Sequence, residues 1–162
     1  MKVFVTRHGQ TSWNALGKIQ GKTDIELNET GKNQARETGE AIKNEHIDII
    51  ISSPLKRAKE TAQIINKNFN VEIIDDERLM ERGFGKSEGL TKDEILALKE
   101  KHGQIYDVWN YNANTGFNDI EKMQDFCARI YDFLDDVTEK YKDKNILIVA
   151  HGGVSVPIKC YF

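Results

Sequence analysis

Three stretches of the chain are short runs of apolar and mostly β-branched residues, broken only by Asp48 near the start of the second. Val3-Phe4-Val5 comes first, Ile47-Asp48-Ile49-Ile50-Ile51 follows, and Ile146-Leu147-Ile148-Val149-Ala150 stands near the end. A short run of this kind predicts a strand buried on both faces. Val71-Glu72-Ile73-Ile74 predicts a shorter strand near a sheet edge. Between these runs the apolar spacing becomes helical. Asn28 is an N-cap residue ahead of a helix predicted over 29–44, with Ala35, Thr38, Gly39 and Ile42 on its buried stripe. Ser53 caps a second helix with Pro54 at its first position, and Leu55, Ala58, Ala62 and Ile65 face the core. Thr91 and Glu94 form a capping box that opens a helix to about residue 101. The longest amphipathic helix starts at Asp119, with Ile120, Met123, Cys127, Ile130, Leu134, Val137 and Tyr141 on one stripe.

Alternating strands and helices predict a three-layer α/β/α sandwich around a mostly parallel sheet. No repeat, low-complexity tract or linker divides the chain, so residues 1–162 read as a single domain. Two irregular stretches remain after the first loop. One, Asp75 to Gly89, is polar and contains Glu81; the other, Tyr106 to Asn118, carries Trp109, Tyr111 and Phe117 and no Lys or Arg. The aromatic stretch suits either a lid or a satellite hydrophobic cluster.

The length of 162 residues allows one domain with a sizeable core. A net charge of −3 gives no reason to expect nucleic acid as a partner, so any anion site must come from a local cluster of cations. No apolar run approaches the roughly 20 residues that span a bilayer, so no membrane partner is expected. The N-terminus enters a strand with no signal-peptide pattern, and Cys127 and Cys160 make no disulfide framework. A cytoplasmic location is the expectation. Cys127 lies on the long apolar stripe and reads as core, and His46 and His102 read as structural.

The chemistry gathers at the strand ends. The first strand runs into Arg7-His8-Gly9, the last into His151-Gly152-Gly153, and the second into a helix whose first turn carries Arg57. Ligands of open α/β sheets bind beyond the carboxyl ends of the strands. An arginine beside a histidine there suggests an anion held against a nucleophile or base. Taken singly these residues carry little: Arg57 also reads as a solvated helix arginine, and Asn14 as a turn residue. Gly9 is read as allowing a sharp turn and close approach to a ligand.

Taken together, four blocks resemble the histidine phosphatase superfamily, the phosphoglycerate-mutase-like enzymes. They are Arg7-His8-Gly9-Gln10-Thr11 with Trp13-Asn14, Ser52-Ser53-Pro54-Leu55-Lys56-Arg57-Ala58, Glu81 in Glu81-Arg82-Gly83, and Ala150-His151-Gly152-Gly153. The resemblance implies a phosphatase acting on a small phosphorylated metabolite through a phosphohistidine on His8. It implies Arg7, Arg57 and Asn14 as phosphate ligands with Gly152 beside them, His151 as a stabiliser of transition-state charge, and Glu81 as proton donor and acceptor. Gln20-Gly21 is assigned to the rim. Two histidines also suit a metal, but no carboxylate pair converges on them, and the resemblance implies neither metal nor cofactor. Cofactor-dependent mutases of this family carry a longer insertion than the stretch between Gly89 and Asp119, which favours a phosphatase. A mutase and a non-catalytic phospholigand-binding module are the alternatives. The family usually continues past the helix after its second His-Gly into an antiparallel edge strand, whereas this chain stops at Phe162. A shortened C-terminal edge is therefore expected, either open or covered by a second subunit in a homodimer.

Overall fold

A computed structural model describes residues 1–102 and 119–162, with side chains to residue 98 in the first segment. Four strands form one parallel sheet in the order β1-β4-β2-β3: β1 (Val3–Arg7), β2 (Ile49–Ser52), β3 (Glu72–Asp75) and β4 (Ile146–Ala150). β4 pairs with a strand on either side, Val3 and Ile49 both lying opposite Ile146. The strands therefore end level, and His8, Ser53 and His151 leave the sheet along one rim. Two further bonds tie that rim: the N–H of His8 donates to the Ala150 carbonyl at 3.0 Å, and that of Ser53 to the Val149 carbonyl at 3.0 Å.

The α-helices among the described residues are α1 (Ser12–Ala15), α2 (Glu29–Ile42), α3 (Lys56–Asn66), α4 (Lys92–His102), α5 (Met123–Lys140) and α6 (Ser155–Tyr161). Successive strand residues point to opposite faces. Ile49, Ile51, Ile146, Ile148 and Ala150 pack on Phe126, Ile130, Phe133 and Leu134 of α5 and Ile158 of α6. Ile50, Leu147 and Val149 pack on Ala58, Ala62 and Ile65 of α3, with Ile42 of α2 at the margin. This double coverage explains why β4 is buried along its whole length. It is the three-layer arrangement that the alternation of elements predicts.

Several expectations shift. β1 is an edge strand, not one buried on both faces: it pairs only with β4 among the described residues, and Val5 is exposed. The buried stripe of α2 is Gly31, Ala35 and Gly39, with Thr38 and Ile42 half-buried. α3 starts at Lys56 because Leu55 is still extended, so Ser53 does not cap it in the expected way. α5 starts at Met123, because Lys122 is still extended, and Asp119 itself is left-handed (φ +59°). The Asn28 cap and the Thr91–Glu94 box form as expected. Cys127 packs half-buried against the α5 core. His46 is exposed and bonds Asp48. The aromatic stretch from Tyr106 to Asn118 and the His102 side chain lie outside the described residues. No described helix is long and apolar enough to cross a membrane.

Two glycines set the distance between α2 and the loop after β1. A Cβ on Gly9 would lie 2.2 Å from the Gly31 carbonyl oxygen, and a Cβ on Gly31 would lie 2.1 Å from the Gln10 carbonyl oxygen. Backbone meets backbone there, and neither side can give way. Gly9 is thus explained by this close approach to α2, where the sequence suggested a turn and a ligand. In an exposed helix interior, alanine is favoured over glycine by about 1 kcal/mol. Here the sign is expected to reverse, with Gly31→Ala losing about 1–3 kcal/mol by overpacking. Gly39→Ala meets first the Asn68 side-chain amide, which can rotate away, and should cost less. Urea unfolding midpoints of the two variants, at unchanged m-value, check the contrast.

Candidate active site

The rim of the sheet brings His8, Arg57 and His151 together. Nδ1 of His8 lies 2.6 Å from the carbonyl oxygen of Gly9. A carbonyl only accepts, so Nδ1 carries the proton and Nε2 keeps its lone pair. Arg57 agrees with this assignment, because its Nε–H donates to the same Nε2 at 3.3 Å. The rest of the Arg57 guanidinium is anchored on main chain, with Nη1 donating to the Thr23 carbonyl at 2.9 Å and Nη2 to the Gly21 carbonyl at 2.7 Å. Arg57 is 1% exposed and forms no ion pair among the described residues. The ring of His151 lies 5.1 Å from that of His8, centroid to centroid. Its Nε2 is 2.8 Å from Ser53 Oγ, while its buried Nδ1 has no hydrogen-bond partner among the described residues.

Glu81 reaches the same place from the loop after β3. Its carboxylate accepts from the N–H of Arg82 at 2.9 Å and from the N–H of Gly153 at 3.1 Å. A Cβ at Gly153 would fall 2.3 Å from Glu81 Oε1 and displace the carboxylate from this position. A Cβ at Gly152 would only touch the Arg7 guanidinium, at 3.6 Å from Nε. Arg7 is exposed at the strand end. With His8, Gln10, Asn14 and Gln34 it lines an open cleft of about 420 Å³. Asn14 Oδ1 accepts from the Thr11 N–H at 3.0 Å, which turns its amide N–H₂ to donor duty. Gln20 is buried and bonded to Thr11 Oγ1, so it braces the loop and is not a free rim residue.

A buried guanidinium held by two carbonyls and an unprotonated imidazole nitrogen is a place for an anion with a nucleophile against it. A model of the histidine phosphatase superfamily (branch 1) matches residues 3–162. The chain belongs to that superfamily. It is 42% identical to the uncharacterized phosphatase PhoE of Bacillus subtilis (strain 168), over 93% of this chain and 72% of that one. It is 38% identical to phosphoglycerate mutase-like protein 4 of Arabidopsis thaliana, over 94% of this chain and 67% of that one. Among solved structures, Bacillus stearothermophilus YhfR superposes with a TM-score of 0.87 at 29% identity, covering 98% of this chain and 78% of that one. Other relatives carry the names of phosphoserine phosphatases and of phosphoglycerate mutases. The family and the names of these relatives support a phosphatase, with mutases among the kin.

For a histidine phosphatase the supporting residues matter as much as the reacting ones, and several were not legible in the sequence. Thr61 Oγ1, one turn along α3 from Arg57, accepts the Gly9 N–H at 3.1 Å and donates to the Arg57 carbonyl at 2.7 Å. Gln34 accepts the Gln10 N–H at 2.9 Å, and the Gln10 carbonyl accepts the Asn28 N–H at 3.0 Å. Glu88 accepts the N–H groups of Lys22 at 3.0 Å and Thr23 at 2.9 Å, and so fixes the loop whose carbonyls hold Arg57. Arg129 of α5 donates to the Glu81 carbonyl at 3.1 Å and to Glu121 Oε1 at 2.7 Å. The one available signal was the placement of Thr61 four residues after Arg57, on the same helix face.

Burial dominates the electrostatics. It pushes the pKa of His8 down to about 3, with Arg57 and Arg7 lowering it further and the Gly9 carbonyl pulling the other way. Burial also holds His151 well below its ordinary 6.5, helped by Arg57, His8 and Arg7. Both rings are therefore neutral in the free protein at neutral pH. Below about pH 6.5 the unfolded chain takes up protons that the folded one does not. Stability conferred by these neutral rings is thus complete above pH 6.5 and is lost as the pH falls toward 3. Each ring contributes up to about 1.4 kcal/mol per pH unit within that window. Unfolding free energies from urea titrations between about pH 4 and pH 7 should show this slope, and His8→Asn should reduce it. An unchanged slope in the variant would mean that His8 is already protonated in the folded protein.

Proposed function

We propose that this protein hydrolyses small phosphomonoesters, without a metal or other cofactor, through a phosphohistidine on His8. The observation that carries the reading is the fixed state of His8: Nδ1–H spent on the Gly9 carbonyl, Nε2 unprotonated beside the Arg57 guanidinium. In this reading Arg57 and Arg7 clamp the phosphoryl oxygens, and Asn14 donates its amide N–H to them. The long Arg57–His8 contact gives way as the Arg57 Nε–H turns to a phosphoryl oxygen. Nε2 then forms a bond to phosphorus while the bond from phosphorus to the ester oxygen breaks. Glu81 delivers a proton to the departing oxygen. In the second step water attacks phosphorus, the P–Nε2 bond breaks, and Glu81 takes the proton from water. Inorganic phosphate leaves and the starting enzyme returns.

His151 contributes from neutral imidazole in the free enzyme. A bound dianion offsets the cations that hold its pKa down, so substrate binding favours its protonation and strengthens its bond to the developing charge. Guanidinium groups in place of a metal suit a dianion with flat faces of oxygens. A relative named metal-independent phosphoserine phosphatase, 36% identical, supports the same view. We take residues 1–162 as one domain working in the cytoplasm on phosphorylated metabolites, with the aromatic stretch from Tyr106 to Phe117 setting substrate choice.

The mutase reading is favoured by relatives with that name. The two differ in what ends the phosphohistidine: water in one, the other hydroxyl of a bound product in the other. A panel of phosphorylated metabolites, with and without 2,3-bisphosphoglycerate, separates them. Release of inorganic phosphate that outpaces phosphoglycerate interconversion is expected. Fast bisphosphate-dependent interconversion would instead establish the mutase. Labelled substrate should leave an acid-labile, base-stable phosphoryl group on the protein, absent from His8→Ala. A label that persists in His8→Ala, or no turnover of any ester, would refute the phosphohistidine reading.

Glu81→Gln separates leaving-group chemistry from binding. The amide keeps the shape and cannot deliver a proton. An alkyl phosphate, with its poor leaving group, should lose about 10²-fold or more in kcat. An activated aryl phosphate should lose much less. Equal losses on both would mean that Glu81 is structural, or that dephosphorylation limits both reactions.

A further inference from the structure

We propose that Ser53 is a positioning residue that holds His151 in its Nδ1–H tautomer, so that this nitrogen donates to a phosphoryl oxygen. The identity of the acceptor rests on the phosphatase reading; the tautomer does not. Ser53 is fully buried and His151 is 1% exposed, so neither can turn to water for a missing partner. Ser53 Oγ has two neighbours. His151 Nε2 lies at 2.8 Å, and the Leu55 N–H donates to Oγ at 3.4 Å. A hydroxyl has one proton to give and two lone pairs to receive with. The Leu55 N–H can only donate and occupies a lone pair. The hydroxyl proton therefore goes to Nε2, and neutral His151 carries its own proton on Nδ1.

The opposite tautomer fails on the same count. With the proton on Nε2, Ser53 Oγ would receive two donors and its own proton would have no acceptor. Nδ1 would be a bare buried lone pair. That makes two buried groups without partners in place of one. In the assigned tautomer the single open group is the Nδ1–H. It belongs to a ring 5.1 Å from the His8 ring, in the field of Arg57 and Arg7, where an anion gathers. An unsatisfied donor there is completed by ligand, whereas an unsatisfied lone pair would repel it. The serine that the sequence suggested as a helix cap serves the second histidine.

The free protein, labelled with ¹⁵N-histidine, tests the tautomer directly. The His151 signals, assigned by their loss in His151→Gln, should show a protonated, pyrrole-type Nδ1 and a pyridine-type Nε2. Titration with inorganic phosphate should shift the Nδ1 proton downfield. Ser53→Ala should mix or reverse the two nitrogen types and lower kcat about tenfold, and Ser53→Thr should restore both. A pyrrole-type Nε2 in the free wild-type protein overturns the proposal. So does a Ser53→Ala spectrum identical to wild type. If Ser53→Ala does not fold, the wild-type spectrum alone decides. A protein with the expected tautomer and no hydrolytic activity would sink the phosphatase reading and leave the role of Ser53 intact.

Discussion

A buried positive charge that forms no ion pair among the described residues is the constraint on which this structure turns. Arg57 is sealed from water, and its guanidinium rests on the carbonyls of Gly21 and Thr23 and on His8. Other arginines of the chain are handled differently. Arg78 is ringed by Asp76, Asp132 and Asp136, and Arg129 is paired with Glu121. Those cations are spent within the protein. Carbonyl dipoles can fix the Arg57 guanidinium in place without cancelling its charge, so the charge stays available to a ligand. Nearby imidazoles cannot also be charged in such a place. Burial and the neighbouring guanidiniums keep His8 and His151 neutral, and neutrality is what leaves a lone pair on His8.

Holding an uncompensated charge requires that the surrounding backbone have no freedom to collapse onto it. The chain meets this with a complete accounting of main-chain groups. From His8 to Thr11 each N–H has a named acceptor: the Ala150 carbonyl, Thr61, Gln34 and Asn14 in turn. Gly9 and Gly31 bring this loop against α2 with no side chain between. Glu88 clamps the loop whose carbonyls hold Arg57, and here too a Cβ on left-handed Gly21 (φ +53°) would strike the Glu88 carboxylate, at 2.1 Å. Glu81 is held by two main-chain N–H groups on its carboxylate, while Arg129 takes its carbonyl. His8, Arg57, His151 and Glu81 are thus each held by neighbouring groups, as a site that needs positional accuracy demands.

The parallel sheet supplies the frame for this arrangement. Ile146 of β4 faces both Val3 and Ile49, so three strands finish side by side. The residue that follows each strand is His8, Ser53 or His151. A one-residue slip would turn the inward residues of a strand to the opposite layer, and the alternating packing of Ile146 to Ala150 on α5 and α3 prevents it. Register, which is a matter of apolar packing, therefore also decides that two imidazoles meet.

By itself the sequence determined the elements that depend on local pattern. Runs of β-branched residues gave β2 and β4, helical spacing gave α3 and most of α5, and Asn28 and Thr91 marked two helix starts, because burial period and capping are short-range properties. The candidate site residues were legible too, since Arg7, His8, Arg57, Glu81 and His151 stand in recognisable blocks. What only the tertiary structure decided is everything set by contact across long separations. β1 reads as a buried strand but lies at an edge, because neighbours in a sheet are assigned by the fold and not by composition. Gly9 reads as a turn residue but is fixed by Gly31 on another element. Ser53 reads as a helix cap but faces His151 across a separation of 98 residues. Glu88 and Arg129 carry no local signal, because a hydrogen bond to a distant main-chain group leaves no period in the sequence. The protonation states of the two histidines belong with these, since they follow from burial beside Arg57, which exists only once the chain has folded.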